Sequence, residues 1–190
     1  MKRLSAIMLS TLITAAALAT TTPAQQMMKS DNPTVGGAAM YRNRNIVENA
    51  LNSPVHTTLV AAVKAAGLAE TLMGKGPFTV FAPTNDAFAK LPSGAVDSLL
   101  LPENKSALQK VLTYHVVPGK MDAKKIMQAI RKGGGRASFR TVSGDTLTAT
   151  MQNGGVLLTD EKGGTAMVTT ADVYQKNGVI HVIDSVVMPN

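Results

Sequence analysis

Three histidines, at positions 56, 115 and 181, are the side chains best suited to acid–base or metal chemistry in a chain of 190 residues without cysteine. A zinc site needs several such ligands to converge, and no His-Glu-x-x-His pattern places two of them on one helix face. Zinc therefore has no visible ligand set. Met27, Met28, Met40 and Met188 are soft enough for copper(I). They lie near the chain ends without repeated spacing, and core filling explains methionine better. These residues call for no cofactor.

Nucleophilic catalysis fares no better. Ser185 sits beside Asp184 and near His181, but on one strand residues 181 and 185 lie about 13 Å apart at a rise of roughly 3.3 Å per residue, beyond a nucleophile–base hydrogen bond. No Gly-x-Ser-x-Gly turn occurs. Gly74-Lys75-Gly76-Pro77 lacks the Gly-x-x-x-x-Gly-Lys spacing of a phosphate loop, and its proline removes a backbone donor. The sequence reads as that of a binding protein, not an enzyme. The competing reading is a small-molecule- or metal-handling protein working through His115 or His181. It requires at least one of those rings to be accessible.

Charge offers the other chemistry. Lys120, Lys124, Lys125, Arg131, Lys132, Arg136 and Arg140 fall within 21 positions that contain the single acid Asp122. Lys124, Lys125, Arg131, Lys132 and Arg136 are the candidate contacts for an acidic polysaccharide, an anionic membrane surface or an acidic surface protein. Asp122 is placed to cap a helix from residue 123 to 131, with Ile126 and Ile130 turned to the core.

The other elements that must position these groups divide along the chain. Residues 45–112 carry helical signals. Leu59, Ala62, Val63 and Ala66 repeat at the spacing of one buried face, with Gly67 placed to end that helix. Pro102 suits the first turn of another, in which Leu108, Val111 and Leu112 share a face up to residue 112. Between them, Phe78-Thr79-Val80-Phe81-Ala82-Pro83 predicts a buried strand stopped by proline, and Thr84 caps a short helix reaching Phe88.

Past Gly133-Gly134-Gly135 the period changes. Leu147, Ala149 and Met151 alternate with threonines, and Gln152-Asn153-Gly154-Gly155 forms a hairpin turn. Strands are predicted over 156–159, 166–171 and 178–187. Helices first and strands later imply an α+β class.

The start of the chain has the order of a secretory leader: Lys2 and Arg3, an apolar and small-residue run, then a polar exit with Pro23 and Ala24. Cleavage after Ala24 fits best, with Ala19 as the alternative. The apolar run is too short and too polar to favour a membrane span. Residues 25–44 read as a flexible lead-in and residues 45–190 as the domain. The full chain has a net charge of +7 from 19 basic and 12 acidic residues; losing Lys2 and Arg3 lowers it to +5, too moderate to suggest a nucleic-acid partner. Without a lipid-bearing cysteine or a hydrophobic C-terminal tail, the expected product is exported and unanchored, in the periplasm or outside the cell.

Three segments together carry a resemblance. They are Thr79-Val80-Phe81-Ala82-Pro83-Thr84-Asn85-Asp86-Ala87-Phe88, Tyr114-His115-Val116-Val117-Pro118-Gly119 and Asn177-Gly178-Val179-Ile180-His181-Val182-Ile183-Asp184. In order and spacing they resemble the fasciclin-like (fasciclin I) domain family, in its bacterial secreted single-domain type. The resemblance implies a wedge of two β-sheets flanked by helices, and a role in cell-surface adhesion, matrix association or envelope organisation through a protein or polysaccharide partner.

It also implies a contact role for Tyr114 and His115, the pair associated with integrin binding in animal members. The remaining motif residues have structural readings. Phe81, Pro83 and Phe88 suit packing and turns, Asn85 and Asp86 the first helical turn, Asn177-Gly178 a turn that admits positive φ, and His115 and His181 strand positions hydrogen-bonded in the core. Asp184 closes the third motif.

Overall fold

The structure is a computed structural model that describes residues 32–190. Residues 1–24, expected to be a leader, and the first part of the lead-in lie outside the described residues.

Local chemistry accounts for several helix boundaries. Helix α1 (Ile46–Asn52) opens on a capping box, in which Asn45 Oδ1 accepts the Glu48 amide at 2.9 Å and Glu48 Oε2 accepts the Asn45 amide at 2.7 Å. Helix α2 (Thr57–Ala66) buries the expected Leu59, Ala62, Val63 and Ala66, and stops at Gly67 with φ 71°. A short α3 (Ala69–Met73) leads into strand β1 (Phe78–Pro83). Thr84 Oγ1 then accepts the Ala87 amide at 3.2 Å to cap α4 (Asn85–Ala89).

After α5 (Ala95–Leu100), the helix predicted from Pro102 begins as a 3-10 turn (Pro102–Asn104) and continues as α6 (Lys105–Tyr114). Strand β2 (Val116–Pro118) precedes α7 (Ala123–Lys132), whose cap is Asp122: its Oδ1 accepts the Lys125 amide at 2.8 Å. Five strands follow: β3 (Arg136–Arg140), β4 (Thr146–Gln152), β5 (Gly155–Thr159), β6 (Thr165–Gln175) and β7 (Gly178–Ile183).

The class is α+β, as the order of signals predicts. The expected pair of sheets is instead one seven-stranded sheet in the order β2-β1-β7-β6-β5-β4-β3. Strands β1 and β7 run parallel, and the other neighbours are antiparallel. The 11-residue β6 belongs to both halves. Its start pairs with β5 and its remainder with β7, across register shifts between Val168 and Thr170 and between Thr170 and Val173. Asp172, at φ 60°, lies within the second shift. These irregularities bend one sheet where two were expected, and the end strands draw together: the Val142 amide donates to the Val116 carbonyl at 2.8 Å.

Two cores flank the shared strands. Val80, Ala82, Ile180 and Val182 face a helical core with Leu59, Val63, Leu108 and Leu112, while Phe81 and Ile183 face a second core with Tyr114, Ile126, Ile130, Leu147 and Leu158. Successive side chains of β1 and β7 thus enter opposite cores, which is why those strands have no solvent-facing polar side, Thr79 and His181 being buried polar residues within them.

The described part of the lead-in departs from the reading made of it. Val35 and Met40 are buried in the helical core, Asn32 bonds Tyr174, and Asn49 pins the Tyr41 backbone at both its N–H and its C=O. Two isolated apolar anchors hold an irregular segment without any periodicity that would reveal them.

Candidate functional site

The Tyr114-His115 pair lies at the C-terminal end of α6. Both side chains are buried, Tyr114 at 0% and His115 at 3% exposure. Tyr114 Oη donates to the Thr146 carbonyl at 2.7 Å, reaching the start of β4, and burial pushes its pKa up to about 12. His115 caps α6 and is not on a strand. Its Nδ1 meets the Val111 carbonyl at 2.8 Å and its Nε2 accepts the Val187 amide at 3.3 Å, which fixes the proton on Nδ1. Burial lowers its pKa to about 4, so the ring is neutral at ordinary pH. Neither residue offers surface to a partner. The contact role implied for the pair gives way to a packing role that joins α6, β4 and the C-terminal segment.

His181 is as fully used. It is 1% exposed, stacks on Phe81 with ring centroids 5.6 Å apart, and places Nε2 at 2.8 Å from the Met121 carbonyl while Nδ1 accepts the Asp172 amide at 3.3 Å. Burial lowers its pKa. With both rings buried and bonded, the reading that used them for metal or small-molecule chemistry loses its functional groups. No cluster of three or more histidine, cysteine or acidic side chains able to hold a metal occurs among the described residues.

The third histidine, for which the sequence suggested no role outside a metal ligand set, has a partner of its own. His56 Nδ1 lies 2.8 Å from Ser53 Oγ, a serine–histidine contact. Both residues are 3% exposed, His56 Nε2 has no hydrogen-bond partner among the described residues, and the adjoining cavity of about 20 Å³ has room for about one water. Burial lowers this pKa too. A sealed dyad with no space for a substrate is a structural pair, so the arrangement is not a catalytic one.

The other motif residues knit segments distant in sequence. Asn85 Oδ1 accepts the Thr58 amide at 3.0 Å and the Thr57 hydroxyl at 3.1 Å, while its Nδ2 donates to the Pro54 carbonyl at 3.1 Å. It therefore caps α2, whose own N-cap residue His56 makes no side-chain cap bond. Phe81 and Phe88 are buried in the two cores, and Pro83 ends β1 in register with Ile183. Asp184 Oδ1 accepts the Met167 amide at 2.8 Å and its Oδ2 pairs with Lys90 at 3.4 Å. Desolvation works against the carboxylate, but the Met167 amide, the Ser185 hydroxyl and Lys90 together hold its pKa below the usual value.

Asn177 ties three segments together. Its Nδ2 donates to the carbonyls of Leu72 and Gly74 at 2.7 and 3.1 Å, and its Oδ1 accepts the Ile46 amide at 3.1 Å. Neither Asn177 nor Gly178 has positive φ, contrary to the turn expected there. Glycine is needed at 178 for another reason: a Cβ would stand 2.1 Å from the Phe78 carbonyl oxygen, because β7 begins hard against β1.

The surface carries a cluster of charge. Lys124, Lys125, Arg131 and Lys132 all point outward from α7, whose inner face buries Ile126 and Ile130, and Arg136 is exposed on β3 beside it. None of these five forms an ion pair among the described residues, where the ion pairs are Lys90 with Asp184 and Lys110 with Asp145. Lys125 Nζ turns back to the Lys120 carbonyl at 3.0 Å.

A seven-stranded sheet bent at one long strand, with buried Tyr-His and Asn-Gly motifs at its joints, defines a scaffold domain whose usable chemistry is on its outside. The chain belongs to the fasciclin domain family, whose description it matches over residues 54–189. It is 48% identical over 191 residues to protein sll1483 of Synechocystis sp., covering 100% of this chain and 99% of that one. It is 37% identical over 145 residues to immunogenic protein MPB70 of Mycobacterium bovis, covering 74% of this chain and 66% of the relative. The fold matches a FAS1 domain pair from the insect cell adhesion molecule fasciclin I with a TM-score of 0.68 at 17% identity, over 76% of this chain and 51% of that one. The chain thus spans about half of the insect pair.

Proposed function

We propose that this protein is an exported interaction module that takes part in adhesion, matrix association or envelope organisation by holding an acidic partner on the α7–β3 face. The observation that carries this reading is the set of exposed cations Lys124, Lys125, Arg131, Lys132 and Arg136 on two adjacent elements, none of them in an ion pair among the described residues. Membership of the fasciclin family supports the adhesive class, and the likeness to an insect adhesion molecule supports the scaffold. Release to the periplasm or the exterior rests on the leader-like residues 1–24. No helix among the described residues is long and apolar enough to cross a membrane.

The test is retention on a heparin-like resin. The protein with residues 25–190 should bind at low salt and elute as salt rises, since attraction between exposed charges is screened beyond roughly 10 Å at 0.1 M salt. Replacing Lys124, Lys125, Arg131 and Lys132 by glutamine should markedly lower the salt concentration at which the protein elutes without altering the thermal midpoint. Retention that ignores salt, or an elution point that the four substitutions leave unchanged, refutes the assignment.

A further inference from the structure

The fold assembles a second basic site that no single stretch of sequence reveals. Beside the Asn177 junction runs a groove of about 600 Å³, lined by Lys75 of the α3–β1 loop, Lys120 of the β2–α7 loop and Lys176 of the β6–β7 hairpin. All three lysines are exposed and none is in an ion pair among the described residues. The groove's one acid, Glu48, has its Oε2 committed to the Asn45 amide at 2.7 Å.

The walls are fixed by bonds already described. Asn177 holds Leu72, Gly74 and Ile46 around the floor, and the Lys176 amide donates to the Arg44 carbonyl at 2.9 Å. A Cβ at Gly76 would lie 2.0 Å from the Asn177 carbonyl oxygen, so the loop bearing Lys75 sits directly on the hairpin bearing Lys176. Lys120 is steadied by Tyr174, with Nζ 4.8 Å from the ring centroid. At the flank, Arg42 stacks on the same ring at 4.8 Å and Arg44 on Tyr41 at 4.7 Å.

We infer that this groove binds a short stretch of acidic polysaccharide, with the lysines taking its carboxylates and Pro77 and Met73 lying along a sugar ring. The inference deepens the acidic-partner reading and rests on it. The shape favours a glycan over the other polyanions. A concave site is ill-suited to a flat lipid surface, and no aromatic side chain lines the groove as a platform on which a nucleobase could stack. Lysines supply point charges that carboxylates on a flexible chain can approach from several directions, without the fixed fork that arginine imposes.

The experiment is a titration of the 25–190 protein with a linear uronic-acid trisaccharide at low salt, followed by amide chemical shifts. Two variants are compared: K75Q/K120Q/K176Q, and the α7 variant K124Q/K125Q/R131Q/K132Q. The expected result is shifts centred on residues 74–77, 120 and 176–178, with at least tenfold weaker binding in the groove variant and less than threefold change in the α7 variant. An equal or larger loss in the α7 variant overturns the groove, because none of the four α7 residues lines it. Stronger binding to anionic vesicles than to the trisaccharide overturns it as well. If the trisaccharide fails to bind while heparin retention through α7 persists, the groove inference falls and the acidic-partner reading stands; if both fail, both fall.

Discussion

His115 Nε2 accepts the Val187 amide at 3.3 Å across 72 positions of chain, so one neutral imidazole fastens α6 to the segment that follows β7. Because Nδ1 is already turned to the Val111 carbonyl, any added proton must go to Nε2, where it would face another N–H. Protonation and the native contact exclude each other.

Stability should therefore fall in acid. The folded pKa of about 4 lies below the ordinary value of 6.5, so between these values the unfolded chain binds more protons than the native one. The contribution is fully present above pH 6.5 and is lost as pH falls towards 4; a shift of this size corresponds to about 3 kcal/mol. His56 and His181, also lowered by burial, act in the same direction. Denaturant unfolding at a series of pH values should show this slope. His115→Gln should flatten it by about one proton while lowering stability at pH 7.5 by about 1 to 3 kcal/mol. An unchanged slope in the variant would mean that His115 is not the group that titrates.

Tyr114 separates a packing role from a contact role. Tyr114→Phe keeps the ring in the second core and loses the bond to the Thr146 carbonyl, which predicts a loss of about 1 kcal/mol by chemical denaturation. Retention on an acidic resin should be unaltered. Were the hydroxyl a partner contact, the pattern would reverse, with retention reduced and stability kept.

The sequence made some of this legible and hid the rest for physical reasons. Elements governed by local rules were readable: α2 with its buried stripe and Gly67 stop, β1 ended by proline, and α7 capped by Asp122. Elements set by pairing were not. Strand β3 is half exposed, with Arg136 and Arg140 facing out, and β6 runs four residues past the predicted end at 171 because its bulges break the alternation that marks a strand. Met151 alternates with buried partners in sequence yet is 42% exposed, since it sits at the hairpin end of β4. The α7 charges were visible as a run. The groove lysines come from three loops and could be gathered only by the fold.

Asn85 acts on a helix other than the one it starts. Asn85→Ala removes the acceptor for the Thr58 amide and the donor to the Pro54 carbonyl, and should cost about 1 to 2 kcal/mol. Asn85→Asp keeps the acceptor and adds a negative charge at the start of α2, so its loss should be smaller than alanine's. Equal losses in the two variants would show that the α2 cap is not the source of the effect.

The Asn177-Gly178 step yields a sharper contrast, because a turn that merely needed positive φ and a junction that needs two donors respond differently to substitution. Asn177→Asp keeps the acceptor for the Ile46 amide but aims a carboxylate at the Leu72 and Gly74 carbonyls, so it should destabilise at least as much as Asn177→Ala, for which about 2 kcal/mol is expected. A positive-φ turn would accept aspartate with little loss. Gly178→Ala should cost about 3 kcal/mol or more, since the new Cβ meets the Phe78 carbonyl and β1 cannot retreat without breaking its pairing with β2. Thermal midpoints of the three variants decide the matter: aspartate better tolerated than alanine at 177, or alanine accepted at 178, would mean that the hairpin does not lock β7 against β1.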